Sequence, residues 1–159
     1  MMKFLVVSLV LSGLFFGSVA SKEDIPVRCM IQMKNYDGEG AYIIAGLVDE
    51  NGDYLRTLHV VGDDDDWYYE LEEWWKFHGR TRPSIDGITG PTIAGGERTT
   101  FVFDVRSNEL DRGYGIRFES GVENEGYFPR EAIIPLVSDM SNGKREGDGF
   151  IRYVRLLME

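Results

Sequence analysis

From Val27 onward the chain is divided into short runs that alternate apolar and polar residues. Turn-forming residues end each run before it grows long, and this rhythm restricts the chain to a mainly β fold. Val27, Cys29, Ile31 and Met33 alternate with Arg28, Met30, Gln32 and Lys34, the period of a strand with one buried face. Residues 41–48 and 54–61 are β-rich runs joined by Asp49-Glu50-Asn51-Gly52-Asp53, and Asn-Gly between two such runs predicts a hairpin. Residues 99–105, 114–120, 132–137 and 150–157 supply four more strands, separated by Gly, Asn, Asp and Ser. Seven short strands with this punctuation predict a two-layer β-sandwich.

One segment departs from the pattern. Trp67, Leu71, Trp74, Trp75 and His78 recur at helical spacing between a run of four aspartates, Asp63 to Asp66, and Gly79, which predicts one short amphipathic helix. The aspartates place negative charge at its start, and Gly79 suits the left-handed residue after its end. Contiguous aspartates do not converge as calcium ligands must, so the sequence reads as helix-start chemistry. The Asp49 to Asp53 turn lacks the glycine and acidic spacing of a calcium loop.

The first twenty residues carry Lys3, an apolar stretch from Phe4 to Phe16, and Ser18-Val19-Ala20. This is the three-part pattern of a secretory signal peptide, with cleavage expected after Ala20. The stretch is too short to span a bilayer, which leaves residues 21–159 as a single exported, periplasmic or secreted domain that does not span the membrane. The formal net charge of the 159-residue chain is −10, and the signal segment contributes no acidic residue. Such a surface repels phosphate backbones and anionic headgroups, which disfavours nucleic acid and membrane surfaces as partners. A lone cysteine, Cys29, permits no internal disulfide, and its place in the alternating run makes it a core residue. No nucleophile elbow, phosphate-cradling loop or zinc-binding histidine pair occurs, and only His59 and His78 offer imidazole; the chemistry expected is that of a carrier or binding module rather than a catalyst. The aromatic cluster around Trp74 and Trp75 reads mainly as core.

Residues 80–96 form a long stretch with neither period, and such loops are often functional. Within it, Asp86-Gly87-Ile88-Thr89-Gly90-Pro91-Thr92 resembles the acceptor motif of bacterial flavin transferases: Asp, two variable residues, Ser or Thr, Gly, usually Ala, then Thr or Ser. A hydroxyl attacks the pyrophosphate of FAD, glycine lets the backbone enter the transferase cleft, and the upstream carboxylate assists positioning. By this resemblance Thr92 would carry FMN, with Asp86, Thr89 and Gly90 shaping the loop. Pro91 stands where the motif usually has alanine, and it directs Gly90 towards extended backbone.

A wider likeness surrounds the motif. The succession of residues 42–48, the Asp49-Glu50-Asn51-Gly52 turn, Tyr54-Leu55-Arg56-Thr57-Leu58, Glu73-Trp74-Trp75 and Asp86-Gly87-Ile88-Thr89-Gly90 resembles predicted periplasmic proteins grouped as domain of unknown function 2271 (DUF2271), over roughly residues 26–157. The later half departs from that family at Phe103-Asp104-Val105 and Phe118-Glu119-Ser120. The resemblance implies an immunoglobulin-like β-sandwich with one short amphipathic helix and a long loop. It also implies company with flavin transferases and membrane PepSY proteins, hence a covalently FMN-carrying electron-transfer module served by a membrane or periplasmic redox protein. The alternatives are a cofactor-free immunoglobulin-like binding domain and a structural accessory domain.

Overall fold

The computed structural model describes residues 23–140 and 143–158; the expected signal peptide and its cleavage point lie outside them. Among the described residues nine strands build two sheets. The four-stranded sheet has the order β5 (Arg98–Arg106), β1 (Asp24–Met33), β9 (Ile151–Met158), β8 (Lys144–Glu146). The five-stranded sheet has the order β4 (Thr89–Gly90), β3 (Tyr54–Val61), β2 (Tyr42–Val48), β6 (Gly115–Val122), β7 (Gly126–Pro135). Every pairing is antiparallel except the short parallel contact of β4 with β3.

The sheets face each other as a sandwich. Val27, Cys29, Ile31 and Met33 of β1 meet Ile43, Ala45 and Leu47 of β2 and Ile116 and Phe118 of β6 in one apolar core, as the alternation in β1 requires. Cys29 is fully buried in it, and burial pushes its thiol pKa up, so it packs as a small hydrophobe. The Asn-Gly hairpin forms as expected. Asp49 Oδ1 accepts the backbone N–H groups of Asn51 at 2.8 Å and Asp53 at 3.0 Å, and Asp49 O accepts that of Gly52. These bonds hold the Asp49 carboxyl below its ordinary pKa.

The structure corrects several expectations. The single helix is two: a 3-10 turn, Asp65–Glu70, and an α-helix, α1, Glu72–Thr81. They divide at Leu71, whose N–H donates to Tyr68 O and whose carbonyl accepts from Trp75 N. Gly79 lies inside α1, and Arg82 (φ 41°) takes the left-handed position after it. The strand expected at 132–137 runs instead over Gly126–Pro135, because the β6–β7 register shifts between Phe118 and Ser120 and gathers the earlier residues into the ladder. Residues 80–96 are ordered by β4, by a 3-10 turn at Asp86–Ile88 and by an isolated bridge between Ala41 and Ile93.

Helix α1 covers the outer face of the five-stranded sheet. Trp74, Leu71 and Tyr68 form a second core with Ile44 and Val60. β2 is therefore buried on both faces along nearly all its length, which gives the sheet two distinct environments.

Candidate functional site

The acceptor-like segment leaves α1 and returns to the edge of the five-stranded sheet. Asp86 is exposed and opens the 3-10 turn; Thr89 Oγ1 lies 3.4 Å from Asp86 O, to which it donates. Thr89 and Gly90 form β4, pairing with Val60 and Val61 of β3, and Gly90 O accepts the N–H of Gly62 at 2.6 Å. Gly90 is thus extended, as the following proline requires. Ile93 then exchanges both backbone hydrogen bonds with Ala41. Pro91 and Thr92 form an exposed two-residue arch pinned on both sides.

The threonine side chain rests over Gly40, where an added β-carbon would fall 2.5 Å from Thr92 Oγ1. Only glycine leaves room for it. At Gly90 an added β-carbon would meet nothing within 4 Å, so the backbone beside the hydroxyl is open to an approaching protein.

Asp86 and Thr89 also line a cavity of about 640 Å³ between this segment and the helices, with Tyr69, Trp75, His78 and Arg82 among its walls. Thr92 and Gly90 do not line it. Of the neighbouring aromatic cluster Tyr68 and Trp74 are core, Trp75 and Phe77 pack half-buried against it, and Tyr69 is exposed. Trp74 is fully buried, and its Nε1 donates to Thr57 Oγ1 at 2.9 Å. Tyr68 donates to Gly62 O and meets Trp74 edge-on at 5.2 Å. Burial and nearby aspartates push the Tyr68 phenol up to about 12. Trp75 carries the Arg82 guanidinium 5.3 Å above its ring, a cation–π contact.

His78 stacks on Trp74 at 4.5 Å, while His59 stacks on Phe101 at 3.9 Å. Burial lowers both imidazole pKa values, and the charge of Arg82 adds to this at His78. Each is held in its neutral form near pH 7. The Asp64, Asp65 and Asp66 carboxylates come within 4.8 Å of one another, all exposed, closer together than their adjacency in sequence implied.

A polar network that sequence reasoning missed lies beneath α1. Arg117 and Glu119 point outward from β6 and are sealed by the helix. Arg117 Nη2 bonds Glu119 Oε1 at 2.5 Å, with side chains 2% and 0% exposed. The Tyr54 and Tyr127 hydroxyls donate to the two Glu119 oxygens, and Tyr127 Oη accepts the N–H of Glu73 at the start of α1. Burial first, and then the Glu119 carboxylate, push both phenols well above their ordinary range. The Tyr54 ring sits 4.3 Å from the Arg117 guanidinium and crosses β2 at Gly46, where a β-carbon would fall 2.2 Å from the ring. The available signal was the pair Arg117 and Glu119 flanking Phe118 on an otherwise uncharged strand.

Among the described residues no helix is long and apolar enough to cross a membrane. No curated protein and no solved structure matches the chain. A family described as a predicted periplasmic protein (DUF2271) matches residues 24–153, a span that takes in β1 to β8, the start of β9, α1 and the acceptor-like arch. The chain belongs to the DUF2271 family of predicted periplasmic proteins.

Proposed function

We propose that the protein is an exported electron-transfer module that carries FMN on Thr92 and exchanges electrons with a membrane or periplasmic redox protein. The observation that carries this reading is the arch itself: a threonine exposed on a two-residue span, beside a glycine with open space around it. In the attachment step Thr92 Oγ1 attacks the FMN-side phosphorus of FAD, the pyrophosphate bond breaks, AMP leaves, and the hydroxyl proton goes to solvent or a base of the transferase. The attached flavin supplies one- or two-electron chemistry, and the protein's part is to anchor and orient it. Backbone pinning at Gly90 and Ile93 limits the motion of the anchor. The cavity that begins at Thr89 adds the exposed Tyr69 and the half-buried Trp75, aromatic faces of the kind on which a flat ring stacks.

The test is co-expression with a flavin transferase outside the cytoplasm, followed by mass spectrometry of the tryptic peptide spanning residues 81–98, which stays joined at Arg82 because Pro83 blocks cleavage there. The adduct is expected on Thr92, lost in Thr92→Val and retained but slowed in Thr89→Ala and Asp86→Asn. Pro91→Ala measures what the proline does: faster labelling marks it as a brake, and equal rates show that the transferase accepts it. No flavin on that peptide in either the native chain or Pro91→Ala, with a known acceptor labelled alongside, overturns the carrier reading in favour of a cofactor-free binding domain.

A further inference from the structure

At the hairpin end of the outer face, α1 and the Asn51-Gly52 turn enclose a second cavity of about 400 Å³, within the size range of small-molecule sites, ~300–1,000 Å³. Its lining is unusual for so acidic a chain. Lys76, Arg80, Arg117 and Arg130 face two carboxylates, Asp53 and Glu73. Lys76 is already committed to Glu73 at 2.5 Å, and Arg117 to Glu119 and, through Nη1 at 3.1 Å, to Gly52 O. The exposed Arg80 and Arg130 make no ion pair among the described residues.

Two of the guanidinium groups converge on the hairpin turn. Arg130 lies over Gly52, where an added β-carbon would fall 3.6 Å from its Nη2, while Arg117 bonds the carbonyl of the same residue. Glu73 lies in the same field: the Lys76 hydrogen bond first, then the charges of Lys76, Arg117 and Arg130, hold its carboxyl below the ordinary range. On the floor, the Arg117 side chain is 2% exposed and its Nε has no hydrogen-bond partner, so one buried donor of the network is uncommitted. Like charges gathered in a cleft repel one another and are stabilised together by an anion. Guanidinium forks suit the paired oxygens of phosphate and carboxylate.

We propose that this cavity binds a small oxyanion, a phosphate monoester or a di- or tricarboxylate, whose charged oxygens bridge Arg80 and Arg130 above Arg117. The stacked rings of Tyr54 and Phe77, 5.5 Å apart, form the wall against which the remainder of the ligand lies. The site is independent of Thr92 and of flavin attachment.

Isothermal titration of the mature protein with inorganic phosphate, glycerol phosphate and citrate at matched ionic strength tests it. Saturable one-to-one binding of at least one probe is expected; the preferred probe separates a phosphate from a carboxylate ligand. Arg130→Gln and Arg80→Gln each weaken it by about tenfold, the loss of one charge-assisted contact. Arg130→Lys, which keeps the charge but not the fork, falls between. Arg155→Gln, the same charge change on β9 of the other sheet, leaves affinity within about twofold, as expected for an exposed charge away from the site. No saturable binding by any of the three probes overturns the proposal. So does an Arg155→Gln loss equal to that of Arg130→Gln, which would reduce the effect to net charge.

Discussion

The two faces of the five-stranded sheet are buried by different means. On the inner face Ile43, Leu47, Ile116 and Phe118 meet the other sheet through apolar contacts. On the outer face α1 closes over an arginine, a glutamate and two tyrosine hydroxyls, with Trp74 and Leu71 beside them. The inner face tolerates small adjustments, because packing is non-directional and depends on volume. The outer face is a directional assembly in which Arg117 and the Tyr54 and Tyr127 hydroxyls all donate to Glu119. It couples the helix to the sheet through Tyr127, which joins Glu119 to the first turn of α1.

Removing Glu119 breaks that assembly most severely. Glu119→Ala leaves the buried Arg117 charge without its carboxylate and two half-buried tyrosine hydroxyls without their acceptor, and is expected to cost about 3 to 5 kcal/mol in urea unfolding. Arg117→Met with Glu119→Gln removes both charges while keeping an acceptor oxygen for one of the two tyrosines, and should recover much of the loss. If the double variant were as unstable as Glu119→Ala, the cost would lie in packing and not in an orphaned charge. Leu71→Ala comes next. Leu71 is 1% exposed at the junction of the two helices, and its truncation is expected to cost about 2 to 5 kcal/mol. A melt unchanged by this substitution would mean that the helix contributes little to closing the outer face.

The inner face was legible in the sequence and the outer face only in part. Alternation placed Cys29, Ile31 and Met33 in the core and located β3 to the residue. It could not reveal β8, because Lys144-Arg145-Glu146 has no apolar face, nor β4, because two residues carry no period. Helical spacing found Trp67, Leu71, Trp74 and His78 but not the break at Leu71. A 3-10 turn and an α-helix space their buried residues similarly over so short a run. Arg117 and Glu119 alternate with Ile116 and Phe118 as any strand's polar face would, and only tertiary structure brings a helix across them. The acceptor-like motif was legible as residues. Its exposure on an arch between Gly90 and Ile93, and the seat of Thr92 on Gly40, depend on partners roughly thirty to fifty residues earlier in the chain.

The smallest expected effect concerns the one carboxylate that intrudes on the inner side. Glu131 is 3% exposed; it accepts from Ser120 Oγ and from the backbone N–H of Ile151, at the start of β9. Burial raises its pKa, outweighing those two hydrogen bonds and the charge of Lys34. The folded state therefore holds the proton more tightly than the unfolded chain. Its contribution to stability is complete below the ordinary glutamate range and is lost as pH rises through the folded value. Glu131→Gln keeps an acceptor for Ile151 and offers an N–H to Ser120 while removing the titration. The melting temperature of the native protein, measured against this variant, is expected to fall as pH increases from 4.5 to 7.5, with the glutamine form the more stable at the upper end. A constant difference across that range would mean that Glu131 titrates alike in the folded and unfolded chain. The inner face would then contain a charge at no cost, and the distinction between the two faces would rest on the Arg117–Glu119 network alone.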